Sequence, residues 1–90
     1  MSKQKMFDLV EAEQIGEALG IDWHEFGVEQ FKIGLEVELE HGLRDPQTNV
    51  TNDDALITGK IALAHLKEFP DYYKRLSAME KEADAYWANV

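Results

Sequence analysis

The chain has 90 residues, no cysteine, and a formal charge of −9 that arises from 18 acidic and 9 basic side chains. Its hydrophobic content of 44% is typical of a globular protein and argues against disorder. The excess of acidic residues disfavours direct binding to nucleic acid phosphates and suits a cation or a basic protein partner. The lack of cysteine excludes a disulfide framework and a thiolate metal site.

The sequence contains no segment that predicts membrane insertion or export. Its apolar runs are too short to span a bilayer. The N-terminal stretch MSKQKMFDLVEAEQ lacks the uninterrupted apolar core of a signal peptide. We therefore expect a cytoplasmic protein that does not bind membranes, folded as a single domain over residues 1–90.

Apolar residues recur at helical spacing in four segments, so we predict an all-α fold, a small bundle of about four helices. The first helix is predicted over residues 9–19. Asp8 and Glu11 have the spacing of a capping box at its start. Gly20 follows as a stop signal.

The second helix is predicted from about Val28 to His41, and Gly42 stands where a left-handed C′ residue belongs. The stretch IGLEVELEH also alternates between apolar residues and glutamate, as a strand does. We favour a helix because Phe31 and Leu35 extend the i, i+4 pattern backwards. Glutamate and leucine are also strong helix formers.

The third helix is predicted over residues 54–68 and is apolar on most sides, so we expect it to be the most buried element. The candidates for its N-cap are Thr51, Asn52 and Asp53. Pro70 ends this helix and opens the fourth, which runs almost to the C-terminus. The apolar stripe of the fourth helix consists of Tyr72, Leu76, Met79, Ala83 and Tyr86, with Trp87 at its edge.

Histidine and glutamate occur in pairs on the second and third predicted helices. Glu38 and His41 are three residues apart, and His65 and Glu68 repeat this spacing in reverse order. Since residues three apart share a helix face, two antiparallel helices could bring the four groups together. Imidazole nitrogen and carboxylate oxygen suit zinc, iron or manganese. Carboxylate-bridged di-metal bundles also use the Glu-x-x-His spacing.

These pairs predict a protein that binds a divalent metal ion between the second and third helices. A full di-metal site needs a second Glu-x-x-His motif and two more glutamates, which this chain does not have. Tyr73 and Glu80, on the fourth helix, are candidates for additional oxygen ligands. A homodimer is the alternative source of the missing ligands. No separate acid or base is evident, so binding is favoured over catalysis.

A purely structural interpretation of the same residues stays open. His65 could donate a hydrogen bond to Glu38, or His41 to Glu68, and either contact would form a buried polar pair between helices. Such pairs define packing without a metal ion.

A second functional hypothesis is an acidic interaction module that binds no metal. Glu29, Glu36 and Glu40 lie on the polar side of the second predicted helix. An exposed row of carboxylates could bind a basic protein or mimic nucleic acid, as a phage-type inhibitor would. A solvated helix face is the structural alternative, and we favour it for this row. His24 is expected at the surface, in the turn after Trp23.

Four stretches occur in an order that resembles a known family: GIDW, GLEVELEHG, TNVTNDD and TGKIALAHLKEFPDYYKRL. The family comprises small bacterial and phage-encoded proteins and is classed as a domain of unknown function. The resemblance covers roughly residues 12–79, which is most of the chain. It implies a soluble, stand-alone protein. It assigns no catalytic residue and no metal, because the family has no established activity.

Overall fold

A computed structural model describes residues 7–89 of the chain, and these residues form four α-helices and no strand. The helices are α1, Leu9–Ala18; α2, Val28–Glu38; α3, Ala55–Glu68; and α4, Tyr72–Ala88. The predicted all-α fold is confirmed. The stretch IGLEVELEH is helical and not a strand: its first part belongs to α2 and its last three residues form a 3-10 turn, Leu39–His41. Residues 1–6 and Val90, which the predicted domain includes, lie outside the described residues.

The start of α1 depends on the predicted capping box. The Glu11 amide donates a 2.7 Å hydrogen bond to Asp8 Oδ1, and the Asp8 amide donates one of 3.2 Å to Glu11 Oε1. Two amides that the helix leaves unpaired are satisfied in this way. At the other end of α1, Gly20 has a φ of 80°, a conformation that glycine adopts without steric cost.

The loop between α2 and α3 corrects two predictions. Gly42 has φ −107° and ψ −142°, so it is not the left-handed residue expected after a helix, because a 3-10 turn rather than an α-turn ends the segment. The N-cap of α3 is Asp54, whose carboxylate accepts a hydrogen bond from the Ile57 amide. The predicted cap Asp53 instead accepts a 2.9 Å hydrogen bond from the Leu43 amide and closes the loop.

The connection between α3 and α4 also differs from the prediction. The final residue of α3 is Glu68, and α4 begins only at Tyr72. Pro70 therefore lies in a short turn between the helices rather than in the first turn of α4. It ends α3 as predicted, because the residue before a proline is biased towards extended backbone, and Phe69 is extended with ψ 129°.

Both α2 and α3 contact each of the other three helices. A larger share of α2 than of α3 is buried, contrary to the prediction, because two apolar residues in the first turn of α3, Leu56 and Ile57, are exposed. The hydrophobic core consists of Phe7, Ala12, Phe31, Leu35, Leu39, Ala62, Leu66 and Tyr73. Every helix thus contributes to one core, as a chain of this length requires.

The fourth helix packs against the core only through its first half. Tyr73 is buried, and Tyr72 and Leu76 are partly buried against the core. Residues 77–89 are all exposed, so the second half of the predicted apolar stripe does not belong to the core. No helix in the described part of the chain is both long enough and apolar enough to cross a membrane.

Gly34 lets α4 approach α2 closely. A Cβ atom at this position would lie 2.7 Å from a ring carbon of Tyr73 and 3.0 Å from the Ala62 Cβ. Both distances are shorter than van der Waals contact, and both neighbours belong to the core. A side chain at residue 34 would therefore push α3 and α4 away from α2.

We predict that Gly34→Ala lowers the free energy of unfolding by about 1–3 kcal/mol, the usual cost of overpacking a core. Urea unfolding followed by circular dichroism measures the change. Ser77→Ala, an exposed substitution on α4, is the control and should change stability little. Alanine normally stabilises a helix relative to glycine. An unchanged or higher stability for Gly34→Ala would therefore contradict the close packing.

Candidate functional site

A buried carboxylate lies where α2, α3 and α4 meet. Glu38, the last residue of α2, is only 4% exposed. Its Oε2 atom accepts a 2.7 Å hydrogen bond from the Tyr73 hydroxyl on α4. Burying an ionised carboxylate is costly unless it is both hydrogen-bonded and compensated by positive charge. Tyr73 provides the hydrogen bond but no charge.

Two imidazoles face the two oxygens of this carboxylate. The His41 Nε2 atom lies 3.9 Å from Glu38 Oε1, and the His65 Nε2 atom lies 3.9 Å from Glu38 Oε2. Both distances are longer than a hydrogen bond. Among residues 7–89, the ion-pair partners of Glu38 are these two histidines, and neither lysine nor arginine contacts it. Within the described residues, the two imidazoles are therefore the groups closest to Glu38 that can carry positive charge.

The ring of His65 is held on its other side by Glu68. The Glu68 Oε1 atom lies 3.0 Å from His65 Nδ1, and the two residues are three apart on α3. The ring of Tyr72 stacks on the imidazole at a centroid distance of 4.3 Å. A carboxylate at Nδ1 favours a proton on that nitrogen. In that tautomer, Nε2, which lies 3.9 Å from Glu38 Oε2, carries the lone pair.

The structure brings four of the six predicted ligands together: Glu38, His41, His65 and Tyr73. Glu68 contacts the far nitrogen of His65 rather than the space beside Glu38. Glu80 is exposed on the second half of α4, about 10 Å along the helix axis from Tyr73. The sequence predicts His65 or His41 as the donor of a hydrogen bond to a carboxylate between helices. In the structure the buried donor to Glu38 is Tyr73.

The separations between these side chains can be compared with those of a metal site. Ligand atoms about 2.1 Å from a tetrahedral ion lie about 3.4 Å from one another. The two 3.9 Å separations at Glu38 are wider. Within residues 7–89, no three histidine, aspartate or glutamate side chains are arranged to hold a metal ion. The predicted ligands thus gather around one carboxylate but do not close around an ion.

The predicted acidic row, which lies on α2 and the 3-10 turn that follows it, is not a set of free charges. Glu36 is half-buried, and its Oε2 atom accepts hydrogen bonds from the Phe7 amide at 3.1 Å and the Lys32 ammonium at 3.0 Å. Glu40 lies 3.6 Å from the Arg44 guanidinium. Glu29 is exposed. The sequence alone therefore overestimates the unpaired negative charge that these glutamates present to solvent.

Tyr73 is held in its neutral form. Burial raises the pKa of its phenol far above the ordinary range, and the hydrogen bond to the Glu38 carboxylate raises it further. The cause is that a buried phenolate beside a carboxylate would lose both its hydration and its role as a donor. Tyr73 is therefore a fixed proton donor to Glu38 rather than an acid that titrates near neutral pH.

The fold and this site define a small all-α domain with a buried Glu–Tyr pair flanked by two histidines. A comparison with protein families matches residues 12–82 to a family described as "Protein of unknown function (DUF5661)", and the chain belongs to that family. The matched segment includes all four clustered residues and confirms the resemblance noted in the sequence. Comparisons with curated proteins and with solved structures found no match.

We predict that Tyr73→Phe lowers the free energy of unfolding by about 1–3 kcal/mol, because it leaves a buried carboxylate oxygen without its donor. The matched control is Tyr72→Phe. Within the described residues, the Tyr72 hydroxyl makes no hydrogen bond, so its removal should cost much less. Urea unfolding compares the two variants with the parent protein. Equal effects would show that the hydrogen bond to Glu38 contributes little.

The raised pKa of Tyr73 also predicts a dependence on alkaline pH. Above about pH 10 the unfolded chain loses the phenolic proton, whereas the folded protein retains it. Unfolding then releases a proton, so stability decreases as pH rises. We expect the urea midpoint to fall more for the parent protein than for Tyr73→Phe between about pH 9 and about pH 11. Tyr72→Phe should follow the parent, and identical slopes for all three proteins would contradict the prediction.

Proposed function

We propose that this protein binds a divalent metal ion through Glu38, His41 and His65. One observation carries the proposal: two imidazole Nε2 atoms converge on the two oxygens of a carboxylate that is 4% exposed. Binding one ion requires both nitrogen–oxygen separations to shorten by about 0.5 Å, from 3.9 Å towards the spacing of a tetrahedral site, and both imidazoles to turn towards the same point.

The groups around these ligands support the proposal. Histidines that bind a metal almost always donate their second ring N–H to a carboxylate or carbonyl, which fixes the tautomer and the orientation of the ring. Glu68 occupies this position at 3.0 Å from His65 Nδ1. Ligating carboxylates are also hydrogen-bonded, and Tyr73 serves Glu38 in this way. Glu68 and Tyr73 are thus proposed to orient the ligands rather than to bind the ion, while Glu80 has no role at the site.

The electrostatics of Glu38 also favour a cation. No lysine or arginine in the described residues neutralises this buried carboxylate. A divalent ion would supply the compensating charge and would bind the nitrogen lone pairs of two neutral imidazoles, the form in which histidine ligates a metal.

The donor set limits the identity of the ion and the access to it. Two nitrogens and a carboxylate suit zinc, iron or manganese better than calcium or magnesium, which prefer oxygen ligands. With three protein ligands, one position is left for water. Half of the His41 side chain is exposed, and it borders a shallow cavity of about 370 Å³ whose other lining residues are Glu40, Arg44, Asp45 and Thr48. Solvent can therefore reach the proposed site from this side.

The alternative proposal is docking on a basic protein, and its support is the net charge of −9. The contacts of Glu36 with Phe7 and Lys32 and of Glu40 with Arg44 weaken it, since they engage the charges that the partner would have to meet. Metal binding is better supported, because it accounts for the burial of Glu38.

We predict that protein purified without chelator and offered zinc, iron or manganese retains close to one ion per chain, measured by plasma mass spectrometry. His41→Ala and His65→Ala should each lose the ion, because each removes one of three ligands. His24→Ala is the matched control, since His24 is an exposed histidine outside the cluster. Folded parent protein that takes up none of these metals would refute the proposal, and the cluster would then be a set of structural polar contacts.

A second set of variants tests which carboxylate binds. Glu38→Gln should lose the ion, whereas Glu36→Gln and Glu40→Gln should retain it. The opposite pattern, together with a His41→Ala variant that keeps its metal, would show that the proposed ligands are wrong.

A further inference from the structure

A cavity of about 640 Å³ lies between α2 and α4, and it is lined by neither Glu38 nor the two histidines beside it. Its volume is within the roughly 300–1,000 Å³ that is usual for small-molecule sites. Its lining combines apolar surface with a few polar groups: Ile33 and Ala78 with Gln30, Lys74, Ser77 and Lys81. Small-molecule sites have this composition, because the apolar surface supplies affinity and the polar groups fix the orientation of the ligand.

The polar groups on the α4 side of the cavity lie on one helix face. Lys74, Ser77 and Lys81 follow one another at intervals of three and four residues, and residues at these intervals are neighbours on a helix. The two lysines are about 10 Å apart along the helix axis, at 1.5 Å per residue. Each has a flexible four-carbon stem, so both ammonium groups can turn towards the space beside Ser77. An anion placed there would meet two charged donors and one hydroxyl.

Neither lysine forms an ion pair with a carboxylate of residues 7–89. In this part of the chain, the lysine and arginine side chains that do so are Lys32, Arg44 and Arg75. Asp71, which is close enough to Lys74 for their charges to interact, is paired with Arg75 at 2.8 Å. The positive charges of the cavity are therefore free to meet a ligand.

The charge of the cavity contrasts with that of the chain. Acidic side chains account for 18 of the 90 residues, yet within the described residues no aspartate or glutamate lines this cavity. A second cavity, lined by Leu19 and Phe26, includes both Asp22 and Glu25. The net charge of −9 repels an anion at long range, but physiological salt screens that repulsion beyond about 8 Å. At shorter range, a ligand in the cavity between α2 and α4 meets the two lysines.

The α2 side of the cavity contributes a polar atom that lacks a partner. Gln30 Oε1 is buried, and no group in the described part of the chain donates a hydrogen bond to it. Buried acceptors are nearly always paired, because an unpaired one has lost its hydration without compensation. A hydroxyl group on a ligand in the cavity would supply the donor.

We propose that this cavity binds an aliphatic carboxylate that also carries a hydroxyl group. The carboxylate lies beside Ser77 and accepts hydrogen bonds from the ammonium groups of Lys74 and Lys81. The hydroxyl donates to Gln30 Oε1, and the aliphatic chain packs on Ile33. Each chemical group of the ligand is thus matched by a group that lines the cavity. The site is separate from the proposed metal ligands and does not depend on them.

Titration of the ¹⁵N-labelled full chain, followed by NMR, tests the proposal with a series of eight-carbon probes. The probe 3-hydroxyoctanoate carries both polar groups, octanoate lacks the hydroxyl, and octanol lacks the carboxylate. We expect 3-hydroxyoctanoate to shift the backbone resonances of residues 74–81 and the side-chain amide of Gln30. It should bind about threefold more tightly than octanoate and about tenfold more tightly than octanol, because charge-assisted hydrogen bonds are the stronger ones.

Substitutions assign these differences to single side chains. Lys74→Gln and Lys81→Gln should each weaken the binding of 3-hydroxyoctanoate by about threefold to tenfold and leave that of octanol unchanged. Gln30→Leu should reduce the affinity for 3-hydroxyoctanoate to that for octanoate. Lys60→Gln is the matched control, because Lys60 is an exposed lysine on α3 that does not line the cavity. His65→Ala should bind the probes as the parent does, which separates this site from metal binding.

Three outcomes would overturn the proposal. The first is the absence of a saturable shift at residues 74–81 with either carboxylate. The second is equal binding of octanol and the two carboxylates, or an equal loss in Lys60→Gln and the two cavity lysine variants, since the contact would then be apolar or non-specific. The third is a Gln30→Leu variant that still prefers 3-hydroxyoctanoate to octanoate. Circular dichroism confirms that each variant remains helical, so that a loss of binding cannot be attributed to unfolding.

Discussion

The hydrogen bond from the Tyr73 hydroxyl to Glu38 links the last turn of α2 to the first turn of α4. Gly34, one turn before Glu38, makes this hydrogen bond possible, because a side chain at position 34 would clash with the Tyr73 ring. The position of α4 determines where Tyr72 stacks, and Tyr72 in turn packs on His65. The geometry of the candidate site therefore depends on one buried polar contact between two helices.

Burying an ionised carboxylate costs free energy unless it is paired and hydrogen-bonded, and this chain buries Glu38. Glu38 has one hydroxyl donor and two imidazoles at a distance too long for hydrogen bonds. Coordination of an ion by all three groups, the function proposed above, would compensate the carboxylate and would use the nitrogen lone pairs of both imidazoles.

The fourth helix has a different environment in each half. Tyr72, Tyr73 and Leu76 belong to the core and the site, whereas residues 77–88 extend the same apolar stripe into solvent. The core of a 90-residue chain is small, and only the first half of α4 contributes to it.

The sequence by itself determined the features that depend on neighbouring residues: the four helices, the Asp8–Glu11 capping box, and the faces that carry histidine and glutamate. Only the tertiary structure decided which groups meet across helices. It placed Tyr73 on Glu38, turned Glu68 towards the outer nitrogen of His65 and left Glu80 in solvent. The physical reason is that residue spacing sets a direction around one helix axis, whereas distances between helices depend on how closely their side chains allow them to pack.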